Sequence, residues 1–193
     1  MFDLEPPAQQ VATLVRGVTD DQLSSPTPCE STEVRELLAH LLGLSAAFSA
    51  AAAKALGPMT QTAPGTVPLV LSSDWRSQFP RQLDELVAAW RNPDAWEGQT
   101  QAGGVTLPGA VAGQVALNEL VIHGWDLARA TGQPYEVDEA SLDVSLAFLA
   151  ESTDPADREG IFGPVVEVPA GAPAIDRAIG LSGRDPSWTA NGR

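Results

Sequence analysis

Two side chains that can bind a metal ion lie four residues apart in a long apolar run of the sequence. Glu119 and His123 belong to residues 118–128, and in a helix residues i and i+4 lie one above the other on the same face. His40, the second of only two histidines, lies in another apolar run. A carboxylate and two imidazoles on two helices would leave one coordination position open, as in a reactive metal site rather than a purely structural one.

The helical positions of the second run place a third ionisable group on the same inward face. At about 100° per residue from Glu119, His123 falls at about +40° and Asp126 at about −20°. A buried carboxylate costs on the order of several kcal/mol unless it is paired or bound to a metal, so both acids require partners. Asp126 could accept a hydrogen bond from a ligand imidazole and fix its tautomer. The alternative is an ion pair with Arg129 or Arg35.

Composition restricts the class of partner. The 193 residues carry a formal net charge of −14 with only 11 lysines and arginines, which argues against a nucleic-acid partner because such binding requires clustered positive charge. Hydrophobic residues make up 44% of the chain, as expected of a soluble globular protein. The length is typical of one domain, so we expect residues 1–193 to form a single domain.

The cysteine content and the apolar runs bear on location. Cys29 is the only cysteine, so no internal disulfide can form. The N-terminus lacks the pattern of a signal peptide, and no apolar run is expected to reach the ~20 residues that span a bilayer. We therefore expect a cytoplasmic protein with no membrane partner. Cys29 itself is a candidate nucleophile, but no base can be assigned to it, which favours a packed or capping cysteine in a proline-rich loop.

Helical periodicity predicts an all-α fold. Apolar residues at spacings of three and four, with breaks at proline and glycine, predict long helices over about residues 7–23, 33–56, 70–90 and 108–131. His40 falls on the buried stripe of the second helix, and residues 57–69 have the composition of a mobile loop that could cover a site.

The remaining residues predict a small C-terminal appendage. Its elements are a helix over about 138–151, a strand-like alternation at 162–168, a short helix at 174–181, and a tail whose Trp188 packs on the bundle. We therefore expect an antiparallel four-helix bundle with a small strand and short-helix appendage. The metal would lie between the second and fourth helices.

Several motifs together resemble a known family. They are Pro-Thr-Pro-Cys at 26–29, Val-Arg-Glu-Leu-Leu-Ala-His-Leu at 34–41, His-Gly-Trp-Asp-Leu-Ala at 123–128 with Glu119 before it, and Gly-Arg-Asp-Pro-Ser-Trp at 183–188. The chain resembles actinobacterial metal-binding proteins of the DinB-like superfamily. More narrowly, it is similar to the metal-binding domain of mycothiol-dependent maleylpyruvate isomerases.

The resemblance implies a site and a class of chemistry. It implies that His40, Glu119 and His123 hold a divalent metal, zinc or nickel, and that the protein is a thiol S-transferase or isomerase. The metal would lower the pKa of the thiol of mycothiol, and the thiolate would attack a small electrophile. Maleylpyruvate itself is not implied. A binding or stress-sensing protein without turnover and a metal-assisted hydrolase are the alternatives. Tryptophans expected at the surface make a homodimer reasonable.

Overall fold

A computed structural model describes residues 1–63, 65–68, 70–158 and 162–190, and it confirms the all-α prediction. The helices are α1 (Glu5–Gly17), α2 (Val34–Ala52), α3 (Pro58–Gln61), α4 (Trp75–Trp90), α5 (Gly109–Thr131), α6 (Glu139–Ala150), α7 (Pro155–Arg158) and α8 (Ala174–Leu181). Helices α4 and α5 each pack against both α1 and α2. These four helices therefore form a closed ring around one apolar core.

Contacts between helix ends give the direction of α1 and α4. Arg91, just after α4, forms an ion pair of 2.6 Å with Glu5 at the start of α1. Arg76, near the start of α4, donates a hydrogen bond of 2.8 Å to the carbonyl of Val18, just after α1. The two helices are therefore antiparallel.

Helices α2 and α4 both end where α5 begins. The Lys54 ammonium, just after α2, lies against Gly109, and the Trp90 ring at the end of α4 lies against Gly113. Both helices are therefore antiparallel to α5 and parallel to each other, so the bundle runs up, down, down and up. Two neighbouring parallel helices require a long crossover, and residues 53–74 provide it.

The sequence did not predict a β-hairpin between α4 and α5. Strands β1 (Gln99–Ala102) and β2 (Val105–Pro108) pair in antiparallel register, and the two glycines between them, Gly103 and Gly104, have φ of 58° and 80°. These left-handed conformations are the ones that a two-residue turn requires. Strands of four residues are too short to give a periodic signal in a segment rich in glycine.

The predicted mobile loop contains α3 and packs on this hairpin. The Gly104 amide donates a hydrogen bond of 2.9 Å to the Thr60 carbonyl. This contact lies beyond the C-terminal end of α2, and the 12 residues between His40 and Ala52 rise about 18 Å along the helix. The residues around Thr60 therefore lie far from His40, whereas the crossover continues to the start of α4 at the opposite end of the bundle. That the loop covers the site stays a prediction.

The C-terminal appendage has the predicted helices but lacks the predicted strand. Helix α6 packs on α5, and α8 packs on α6. Among the described residues, 162–168 form no sheet, although the Val166 amide donates a hydrogen bond of 3.0 Å to the Gly180 carbonyl. The alternation of side chains was present, but no neighbouring strand pairs with it. Trp188, in the C-terminal tail (residues 183–190), packs against the core as predicted.

Burial corrects two further expectations. Helix α2 is 19 residues long and apolar enough to cross a membrane, a length that the sequence was not expected to reach. More than half of its apolar window is buried inside the bundle, as in the core helix of a soluble protein.

Four of the five tryptophans are buried and Trp188 is half-buried, so the reason for expecting a dimer does not hold.

Gly113 allows two tryptophans to pack against α5. A Cβ atom at this position would lie 2.6 Å from the Trp96 ring and 3.0 Å from the Trp90 ring. We expect Gly113→Ala to lower the free energy of unfolding by about 1–3 kcal/mol, since both rings are buried and cannot move away. The matched control is Gly43→Ala, because Gly43 has open space around it and alanine favours a helix. Urea denaturation should show opposite signs, and equal effects would contradict this account of the packing.

Candidate metal centre

His40, Glu119 and His123 converge where α2 packs on α5. The Nε2 atom of His40 lies 3.2 Å from Oε2 of Glu119, and Nε2 of His123 lies 3.1 Å from the same oxygen. One ligand atom from each of the three residues lies within 4.8 Å of the other two. The structure therefore brings together the three residues that the sequence predicted as ligands.

The two nitrogen–oxygen distances match those around a tetrahedral metal ion. Zinc bound at about 2.0–2.1 Å in a tetrahedral site requires neighbouring ligand atoms about 3.3 Å apart, close to the observed nitrogen–oxygen separations. The His40 side chain is 31% exposed, whereas that of His123 is 11% exposed. His40 is therefore half-buried rather than buried as predicted, and the cluster is open to a further ligand on its side.

Local sequence features fix where the two helices place these side chains. The Glu33 amide donates a hydrogen bond of 2.9 Å to the Glu36 carboxylate, which starts α2 so that His40 falls in its second turn. Gly132, with φ of 68°, ends α5 as predicted. Glu119 and His123 then lie in the middle of α5, where the helix cannot fray.

Asp126 orients His123 and is itself paired with the C-terminal tail. Its Oδ2 atom lies 2.8 Å from Nδ1 of His123, so Nδ1 carries the proton and Nε2 is left to face Glu119. Arg184 donates to both carboxylate oxygens of Asp126, over 3.3 and 3.0 Å. Asp126 is fully buried and forms no ion pair with Arg129 or Arg35, the alternative considered from the sequence.

Arg184 is the site residue that the sequence analysis did not identify. The sequence analysis used the motif of Arg184 only for the family resemblance. No periodic pattern indicates that a residue in the C-terminal tail contacts Asp126, which lies 58 positions earlier. Cys29 is half-buried and lies within electrostatic reach of Arg184, which places the loop before α2 near the same site. The sequence signal that could have indicated Arg184 is the need of a buried Asp126 for a cation.

The carboxylate and the imidazoles reinforce each other's charge. Burial alone would lower the pKa of His123, but the charge of Glu119 and hydrogen bonds to Asp126 and Glu119 outweigh it and raise this pKa to about 10. Burial would likewise raise the pKa of Glu119, but His123 and His40 hold it well below its ordinary value. Without a metal, the positive charge that balances Glu119 at neutral pH is therefore a proton on His123.

We expect metal binding to release this proton. A metal ligand must offer a free nitrogen lone pair, so the metal competes with the proton on His123 at every pH below about 10. Affinity should therefore rise about tenfold per pH unit from pH 6.5 to 9. Titration calorimetry at pH 7 in buffers of different ionisation enthalpy should detect about one proton released per metal.

The raised pKa of His123 makes the stability of the metal-free protein fall as the pH rises, whereas metal affinity increases. The raised pKa of His123 contributes stability that is fully present below pH 6.5 and is lost as the pH rises to about 10. Metal-free protein should therefore become less stable over that interval. Absence of proton release on metal binding would contradict the charge arrangement described above.

Comparisons with known proteins agree with the fold and identify the family. Two uncharacterized proteins of Mycobacterium tuberculosis, one from strain CDC 1551 / Oshkosh and one from strain ATCC 25618 / H37Rv, are 31% identical over 138 residues. Each match covers 66% of this chain and 64% of the relative. The chain thus spans less than two thirds of the length of these relatives.

Two crystal structures share the fold. They are the mycothiol-dependent maleylpyruvate isomerase and a histidine-to-alanine mutant of it, with TM-scores of 0.56 and 0.55 and sequence identities of 18% and 17%. Each match covers 76% of this chain and 66% of the chain in the crystal structure. A family model, the mycothiol maleylpyruvate isomerase N-terminal domain, matches residues 4–128, which include the four bundle helices up to Ala128 and all three converging side chains. The chain therefore belongs to the mycothiol maleylpyruvate isomerase N-terminal domain family.

Proposed function

We propose that this protein is a divalent-metal-dependent enzyme that uses mycothiol as a thiol cosubstrate, in an S-transfer or isomerisation reaction on a small electrophile. His40, Glu119 and His123 would hold zinc or nickel, since imidazole and carboxylate ligands suit both metals. The convergence of these three ligand atoms within 4.8 Å carries the proposal. Membership of the family supports mycothiol as the thiol.

Each side chain of the site has a distinct part in this proposal. When bound, the metal supplies a Lewis acid that lowers the pKa of a thiol, so that a thiolate exists at neutral pH. Asp126 keeps the proton of His123 on Nδ1, and Arg184 neutralises the buried Asp126. The exposed side of His40 leaves access for the thiol and the electrophile. A single half-buried cysteine fits a reducing compartment, and we propose a cytoplasmic location.

The test is a reaction of zinc-loaded protein with mycothiol and a panel of electrophiles. Liquid chromatography coupled to mass spectrometry should separate and detect conjugates or isomerised products in excess of the protein, and the Glu119→Gln variant should form none above background. Glu97→Gln is the matched control, since Glu97 is exposed and adjoins Gly98, whose carbonyl accepts from Gly109 at the start of α5, about 15 Å along the helix from Glu119. Saturable binding without product would favour a sensor, and product without mycothiol would favour a hydrolase. Either outcome would replace the proposed reaction.

A further inference from the structure

The exposed side of His40 adjoins a position of α2 that has no side chain. Gly43 lies three residues after His40, about 60° around the helix. It is exposed, and a Cβ atom added to it would have no neighbour within 4 Å. Helical side chains lean over the turn that precedes them, so a side chain at position 43 would lean towards His40. The glycine therefore leaves open the side on which the His40 imidazole is accessible.

The helix turns beside this opening carry no positive charge. Residues 37–53, which include His40, contain no Asp, Glu, Lys or Arg, and neither do residues 98–118, which precede Glu119. The charged side chain one turn before His40 is the half-buried carboxylate of Glu36. A ligand that approaches along these turns therefore meets neutral side chains and one negative charge.

Arg184 is the one arginine that pairs with a residue of the site among the described residues, and its donors are already used. All three of its nitrogens donate, two of them to the carboxylate of Asp126 and one to the Ser182 carbonyl, over 3.0–3.3 Å. Its side chain is only 12% exposed. Arg184 therefore compensates the buried carboxylate and is not free to bind a ligand.

The other arginines of the helices around the site point elsewhere. Arg35 falls about 140° around α2 from His40, and Arg129 falls about 120° around α5 from His123. Arg177 is exposed on α8, on the side opposite the buried residues of that helix. In the part of the chain that the structure describes, these helices therefore offer no free cation to an anion that approaches His40.

The charges of the site also balance without a substrate anion. In the proposed reaction, the negative charges of Glu119 and of a bound thiolate together offset one divalent ion, and Arg184 offsets Asp126. An anionic electrophile would lose water at this opening without gaining a counter-ion, and the formal net charge of −14 would repel it. An uncharged electrophile meets neither penalty.

We propose that the electrophile is uncharged and reaches the site over Gly43, where the missing side chain leaves room for it. This names the substrate class of the proposed reaction and rests on that function. Gly43 is then a specificity-determining position. A longer apolar side chain there would exclude the electrophile by its size, and a positively charged one would admit an anion. Binding measurements detect this selection without turnover.

Equilibrium dialysis of the zinc-loaded full chain with excess mycothiol tests the proposal with two unreactive probes of similar shape. One is a nitrophenyl methyl sulfone, which is neutral, and the other is the corresponding nitrobenzenesulfonate, an anion that binds zinc poorly. The sulfone should bind at least about tenfold more tightly. Gly43→Leu should weaken sulfone binding about tenfold, and Gly43→Lys should strengthen sulfonate binding about tenfold, with zinc content unchanged in both. Ala53→Leu and Ala53→Lys are the matched controls and should change nothing, since Ala53 is exposed and lies about 20 Å along α2 from His40.

Chlorinated forms of both probes, with the chlorine beside the nitro group and opposite the sulfonyl group, separate this selection from the reaction. The thiolate sulfur would form a bond to the ring carbon while the carbon–chlorine bond breaks and chloride leaves. Relative to the rates with mycothiol alone, the protein should favour the chlorinated sulfone at least about tenfold.

The proposal is overturned if the wild-type protein binds the sulfonate as tightly as the sulfone, or binds neither. It is also overturned if Gly43→Leu, shown by circular dichroism to be folded, binds the sulfone as the wild type does. A sulfone that is bound selectively, while its chlorinated form never reacts with mycothiol, would refute the proposed reaction and leave the selection by charge in place.

Discussion

A His123→Ala variant is expected to lose its metal. Structural zinc sites with four ligands have apparent binding free energies of about 10–16 kcal/mol, or about 3 kcal/mol per ligand, so loss of one ligand should reduce affinity more than a hundredfold. The substitution also leaves Glu119 with His40 as its only neighbouring imidazole. Metal content measured by mass spectrometry after gentle purification should fall from about one per chain to near zero.

Graded variants distinguish loss of a ligand from loss of the fold. His40→Ala should act like His123→Ala, because both imidazoles approach the same oxygen of Glu119. Asp126→Asn should reduce affinity by only about 10–100-fold, since it alters the orientation of a ligand without removing it. Thermal denaturation of the metal-free proteins provides the control for folding. An unchanged metal content in His123→Ala would refute the site.

Helical geometry and the resemblance to a known family together predicted the convergence of these three side chains. Glu119 and His123 share a face through the spacing of four, and His40 is the only other imidazole in the chain. Periodicity defines which face of a long helix is inward, and the bundle must bury those faces together. Only the degree of burial of His40 differed, since its exposed fraction depends on how α2 packs on α5.

The features of the structure that the sequence did not predict depend on contacts between residues outside the long helices, where there is no periodic pattern to read. Arg184 meets Asp126 through a tail that has no regular structure, and the hairpin of residues 99–108 depends on a turn with two left-handed glycines. The alternation at 162–168 gave a false strand, because a strand also requires a neighbour to pair with. Long-range pairing of this kind leaves no mark within a short window of sequence.

An Arg184→Ala variant is expected to destabilise the protein and to weaken the metal site together. Asp126 is fully buried, and Arg184, whose side chain is 12% exposed, is its only guanidinium partner among the described residues. Removing one partner of a buried pair costs about 3–5 kcal/mol, and we expect about 3 kcal/mol because His123 still compensates part of the charge. Metal affinity should fall about 10–100-fold, since Asp126 is then free to turn away from His123.

The matched control is Arg91→Ala, which breaks an exposed arginine–carboxylate pair and should cost less than about 1 kcal/mol. Urea denaturation of the metal-free proteins at pH 7 measures both variants. Adding Asp126→Asn to Arg184→Ala should restore part of the lost stability, because a neutral amide no longer leaves a buried charge without its partner. A double variant that is as unstable as the sum of the two single variants would show that Arg184 acts by packing the tail alone. In that case Asp126 would orient His123 without help from the C-terminal tail.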